Sequence, residues 1–100
     1  MGLLVTTTLH TNQGDTSNLY LNIDNFNIIK SGMQNIRINR YLNKSTRDIN
    51  PNNQCDCFEV LNNYTYDLTI EELVASNIYD VIYTKLKADL IASGLNVIND

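Results

Sequence analysis
Over the first two thirds of the chain, apolar and polar residues alternate with period two, and β-branched types recur between short polar breaks, which is the pattern of half-buried strands. Leu3 to Leu9 predicts an opening strand, and Thr11-Asn12-Gln13-Gly14-Asp15 a turn after it. Leu19, Leu21 and Ile23 share one parity, whereas Phe26 and Ile28 have the other. One extra residue in a strand sends every later side chain to the opposite face, so the switch predicts a bulge near Asp24-Asn25. Ser31-Gly32 reads as the next turn. Ile36, Ile38, Arg40 and Leu42 then alternate with Arg37, Asn39 and Tyr41, giving a strand with one apolar and one polar face. Asn43 to Gln54 is polar, holds the only proline, Pro51, and predicts an exposed loop. Cys55 to Leu61 returns to alternation, with Cys55, Cys57 and Leu61 on one side and Phe58 and Val60 on the other. Asn62-Asn63 supplies a turn, after which Tyr64, Tyr66 and Leu68 line one face of a further short strand.

The period then changes. Thr69-Ile70-Glu71-Glu72 has the spacing of a capping box, in which the Thr hydroxyl accepts from the backbone N–H three residues on and Glu72 reaches back. Ser76-Asn77 predicts a break, with Asn77 as a second cap. From there Ile78, Val81, Ile82, Leu86 and Leu90 form a stripe at helical spacing, flanked by Tyr79 and Tyr83. Gly94 stands where a helix ends, and Leu95 can pack back on Leu90. The resulting expectation is an α+β domain: an antiparallel β-sheet or small β-sandwich of five or six strands closed by a C-terminal α-helix. All 100 residues form a single domain, with 1–68 mainly β, 69–94 helical and 95–100 a tail.

Composition narrows the chemistry. A net charge of −4 argues against direct nucleic-acid binding, because neutralising phosphates requires a basic face. No apolar run is long enough to span a bilayer, so no membrane partner is expected. Met1-Gly2-Leu3-Leu4-Val5 lacks the basic flank and long apolar run of a secretory signal, so the chain is expected to stay in the cytoplasm where it is made. Cys55 and Cys57 are too few and too close to build a disulfide framework, and a reducing compartment is the simpler reading. Sixteen asparagines suggest an AT-rich genome, which bears on source and not on mechanism.

Asp48, Asn50, Asn52, Asp56 and Glu59 fall at positions one, three, five, nine and twelve of a calcium loop, but Asn53 occupies the position where the sharp turn wants glycine. Pro51 lies inside it, and strands rather than helices flank it. Cys55-Asp56-Cys57 offers two thiolates where structural zinc wants four ligands, so two small buried apolar side chains are the simpler reading. A Cys–His or Ser–His pair must recruit His10, which no sequence feature positions. Glu71 and Glu72 already have a role in the first turn of a helix. The expectation is therefore no catalytic residue, no metal, no cofactor and no enzymatic activity.

Charge is segregated along the chain. Lys30, Arg37, Arg40, Lys44 and Arg47 form a basic segment without an acidic residue, while from Asp48 to Asp100 nine acidic residues stand against Lys85 and Lys87. Such a molecule suits contacts with copies of itself or neighbours through unlike patches. The five basic residues, with Tyr64 and Tyr66 as interface-favouring side chains, are the candidate interface. The other outcome is that the two segments pair within one fold, and the sequence leaves both open.

The run Thr11-Asn12-Gln13-Gly14-Asp15-Thr16-Ser17-Asn18-Leu19-Tyr20-Leu21-Asn22-Ile23 resembles small structural proteins of tailed bacteriophages, crAss-like phages first. The later Tyr66-Asp67-Leu68, Glu71-Glu72-Leu73, Ile78-Tyr79 and Tyr83-Thr84-Lys85-Leu86-Lys87 carry the same resemblance. It covers most of the chain in layout, strands followed by a C-terminal helix. It implies a virion subunit of the head–tail connector, neck ring or tail, whose partners are other virion proteins and copies of itself in a ring or lattice. A capsid-surface accessory protein is the alternative within that class. A small host-directed binding protein, a free monomer or dimer with one exposed apolar patch, is the alternative outside it.

Overall fold
The computed structural model describes residues 2–28 and 32–100. The expected opening strand divides in two, β1 (Leu3–Val5) and β2 (Leu9–Thr11), with the chain bending through Thr6, Thr7 and Thr8 between them. The expected turn then joins β2 to β3 (Gly14–Thr16) in a hairpin. Gly14 occupies a positive φ of 117°, which glycine reaches without the Cβ clash other residues meet. β4 (Leu19–Ile28) and β5 (Gln34–Tyr41) follow as a long antiparallel pair. Lys30 of the candidate interface and Ser31 of the expected turn lie outside the described residues.

The bulge is where the parity switch predicts it. Register shifts between Ile23 and Asn25, so that Ile23 opposes Ile38 and Phe26 opposes Ile36, all on one face of the sheet. Without the extra residue Phe26 would point away from the core; with it, Phe26 packs on that core.

Three expectations are corrected in the next stretch. The polar loop contains a helix, α1 (Lys44–Ile49), capped by Asn43 Oδ1, which accepts from Thr46 N at 2.8 Å. Cys55 to Leu61 does not form a strand: a single bridge joins Cys57 to Thr11, and the rest is held by other bonds. Its parity therefore does not carry over, and Val60 is buried while Phe58 projects into solvent. After β6 (Asn63–Tyr66), α2 (Ile70–Leu73) opens with the complete Thr69–Glu72 capping box. α3 (Ile78–Ala92) follows Asn77, which sits at the cap position without a side-chain cap bond. Gly94 closes α3 at φ 98°, with Leu95 N donating to Leu90 O and Gly94 N to Ile91 O, the paired bonds of a Schellman ending. The third correction is the tail, which is a strand, β7 (Val97–Asn99).

The five-stranded sheet is antiparallel in the order β6-β5-β4-β1-β7, with the β2–β3 hairpin as a separate two-stranded sheet. α3 runs between the strands of the two edges and lays Ile82, Leu86 and Leu90 against Leu3, Val5, Leu19, Leu21, Ile36 and Ile38. Burying each such side chain contributes about 1.5–3 kcal/mol, which outweighs helix propensity as the reason α3 is stable. Tyr83, expected on the flank of the stripe, is buried, and its hydroxyl accepts from Ile23 N at the bulge (2.9 Å). Gln34 is a buried polar residue on the apolar face. Its Oε1 accepts from Leu68 N at 2.8 Å and its Nε2 donates to Gly32 O at 2.9 Å, so burial leaves neither group unpaired.

Candidate functional site
Arg40 holds the most unusual position in the molecule. The parity of β5 places it on the same face as Ile36 and Ile38, with only 10% of its side chain exposed. A guanidinium there requires partners, and it finds them in the irregular segment after Cys55. Nη1 donates to Val60 O at 2.7 Å and to Cys57 O at 3.1 Å, and Nη2 reaches Asp56 Oδ1 at 3.3 Å. The chain from Asn53 to Asp56 is tied to the β2–β3 hairpin. Asp56 N donates to Asn12 Oδ1 at 2.8 Å, Asn12 N to Asp56 O at 3.2 Å, and Gln13 Nε2 to Asn53 Oδ1 and Gln54 O.

Between hairpin and segment lies a cleft of about 440 Å³ lined by His10, Thr11, Asn12, Arg40, Asp56, Cys57, Phe58, Leu61 and Asn62. Phe58 stands at it 94% exposed and Leu61 58% exposed, while the Asp56 side chain is 84% exposed. His10 and Asp15 oppose each other across β2 and β3, and His10 Nδ1 donates to Asp15 Oδ1 at 2.7 Å. That hydrogen bond, with the attraction of the same carboxylate, raises the imidazole above its ordinary 6.5. Cys57 lies in the same cleft, but burial pushes its thiol up and its Sγ–H donates to Glu59 Oε2 at 3.3 Å. A thiol held protonated in this way is a poor nucleophile at neutral pH. Burial likewise raises Cys55.

The candidate interface residues disperse. Arg37 is exposed and lies 3.7 Å from Asp24 across the bulge. Lys44 pairs with Asp100 at 2.9 Å, and Arg47 with Asp48 at 3.5 Å. Lys44 and Arg47, one turn apart on α1, both lie over the buried Tyr20 ring, the Arg47 Cζ 5.4 Å and the Lys44 Nζ 6.0 Å from its centroid. Tyr64 and Tyr66 stack on each other and pack against the core, half-buried. Burial and the neighbouring Asp89 carboxylate push the Tyr66 phenol far up. Each of the four described basic residues of the candidate interface thus faces a carboxylate of its own chain, and Arg40–Asp56 and Lys44–Asp100 join the basic segment to the acidic one. Folding thus matches the described basic residues of this segment within the chain, and the Arg40 side chain is mostly buried.

The calcium-loop spacing is also dispersed: Asp48 lies on α1, and Asn50 Oδ1 turns back to accept from Asn52 N. Among the described residues, no three His, Cys, Asp or Glu side chains gather as a metal site, and no helix is long and apolar enough to cross a membrane. Sequence reasoning did not single out Phe58, Leu61 and Asp15. The register His10↔Asp15 was open to reading from the Asn12-Gln13 turn, but the exposure of Phe58 was not. Compared with protein-family models, curated proteins and solved structures, the chain matches none.

Proposed function
We propose that this chain is an assembly subunit of a tailed-phage virion, at the neck or tail, that works by offering surface to other virion proteins. The observation that carries the reading is the exposed pair Phe58 and Leu61 beside a preformed cleft. A phenylalanine left in water forgoes about 1.5–3 kcal/mol available on burial, which a partner would recover. Arg40 and the hairpin already order the segment that presents it, so little conformational entropy is lost on docking. The virion as the place of assembly is supported by the resemblance carried by residues 11–23 and 66–87.

Mass spectrometry of gradient-purified particles tests the reading: the chain should be present at fixed stoichiometry, and Phe58→Asp should fold normally yet be lost from particles. Particles without the chain would refute the virion role. The exposed apolar patch also suits a host-directed binding protein, and that second reading expects this absence.

A further inference from the structure
β4 outruns its neighbour. β1 pairs only with residues 19–21, and among the described residues no strand lies against the outer side of β4 beyond the bulge. Ile38 N donates to Asn62 O and Arg40 O accepts from Cys55 N, so these alternate residues of β5 turn their main-chain groups away from β4. Arg37 and Asn35 turn theirs toward Asn25 and Asn27, which leaves Phe26 and Ile28 directing N–H and C=O outward, as Ile23 N is directed toward the Tyr83 hydroxyl. Such an edge is a template for an added strand, and proteins ordinarily blunt it with lysine, proline or an inward charge. Asn25-Phe26-Asn27-Ile28 holds none of these, and Ile28 is 67% exposed.

Period two also makes this segment its own complement. Set antiparallel to itself about a two-fold axis at Asn27, each Phe26 meets Ile28 of the other copy with both main-chain bonds formed, and Asn27 faces Asn27. Ile28 is then covered by the Phe26 ring, which Tyr79 already holds edge-on at 5.8 Å. An axis at Phe26 would instead set Ile28 against the Asp24 carboxylate. Copies of a chain of net charge −4 repel each other, and residues 25–28 bring no charge to their contact. The segment shares no residue with the lining of the Phe58 cleft.

Independently of the virion reading, we infer that two copies of this chain join edge to edge through residues 25–28 of β4. So short a contact buries far less than the roughly 1,200 Å² of a stable complex, so the dimer is weak, with a dissociation constant on the order of 1 mM. Sedimentation and amide shifts of the full chain from about 0.05 to 3 mM should show mass rising toward a dimer, with the shifts centred on residues 24–28. In a mixed-label sample, isotope-filtered NOEs should join the Ile28 methyls of one copy to the Phe26 ring of the other. Asn27→Cys should form an intermolecular disulfide about tenfold faster than Thr65→Cys, which is exposed on β6. Ile28→Lys, at an exposed position, should weaken self-association about tenfold or more. A constant mass, shifts centred elsewhere, equal cross-linking of the two cysteine variants, or undiminished association of Ile28→Lys would overturn the inference. So would a chain that stays monomeric alone and has this edge protected only inside particles, since the edge would then take a strand of another protein.

Discussion
Replacing Arg40 by methionine keeps most of the buried stem and removes the guanidinium. Two carbonyls, Cys57 O and Val60 O, then lose donors at 3.1 and 2.7 Å in a nearly buried setting. Hydrogen bonds to charged groups contribute about 1.5–3 kcal/mol each. The adjoining cleft admits water that can restore part of that, so the expected loss is about 2–4 kcal/mol. At about 4–8 °C per kcal/mol for a domain of this size, melting falls by roughly 10–30 °C. The ion pair itself contributes little, because the Asp56 side chain is 84% exposed, and Asp56→Asn should cost less than about 1 kcal/mol. Urea unfolding of both variants, with the denaturant slope checked for constancy, gives the two values. Hydrogen exchange should show Arg40→Met releasing residues 55–61 before the sheet. A cost for Arg40→Met within about 0.5 kcal/mol of zero, or one equalled by Asp56→Asn, would refute the claim that the guanidinium–carbonyl bonds hold the segment.

Three further outcomes are expected. A Cβ added at Gly2 would lie 2.6 Å from the Tyr20 ring and hydroxyl and 2.7 Å from Leu21 O, and Tyr20 is itself overlain by Lys44 and Arg47. Gly2→Ala should therefore cost about 1–3 kcal/mol in urea unfolding, and a neutral result would mean β1 moves freely. Tyr83→Phe removes the acceptor of Ile23 N at the bulge, with a cost of about 1 kcal/mol and faster exchange of that one amide; unchanged exchange would count against the contact. His10 should titrate above 6.5 by NMR and return toward it in Asp15→Asn. Because its folded pKa is raised, its contribution to stability is complete below the unfolded value and is lost as pH rises through the folded one. An unshifted midpoint in Asp15→Asn would disprove the pairing.

What the sequence determined by itself is whatever depends on near neighbours. The bulge at Asp24-Asn25, the capping box at Thr69 and the glycine ending at Gly94 are each set within a few residues by parity, hydrogen-bond reach or allowed φ. The α+β class follows from those parts. Tertiary structure decided the rest, because the deciding energy comes from chain far away. Five polar residues and Ile49 make the helix α1 with Tyr20 beneath it, three residues make the strand β7 because β1 offers an open edge, and alternation in Cys55 to Leu61 never becomes a strand. The site belongs to this second group. Arg40 was legible as a basic residue on an apolar face, but that its charge would turn inward, fasten a distant segment and leave Phe58 in water depends on contacts 16 to 20 residues apart along the chain.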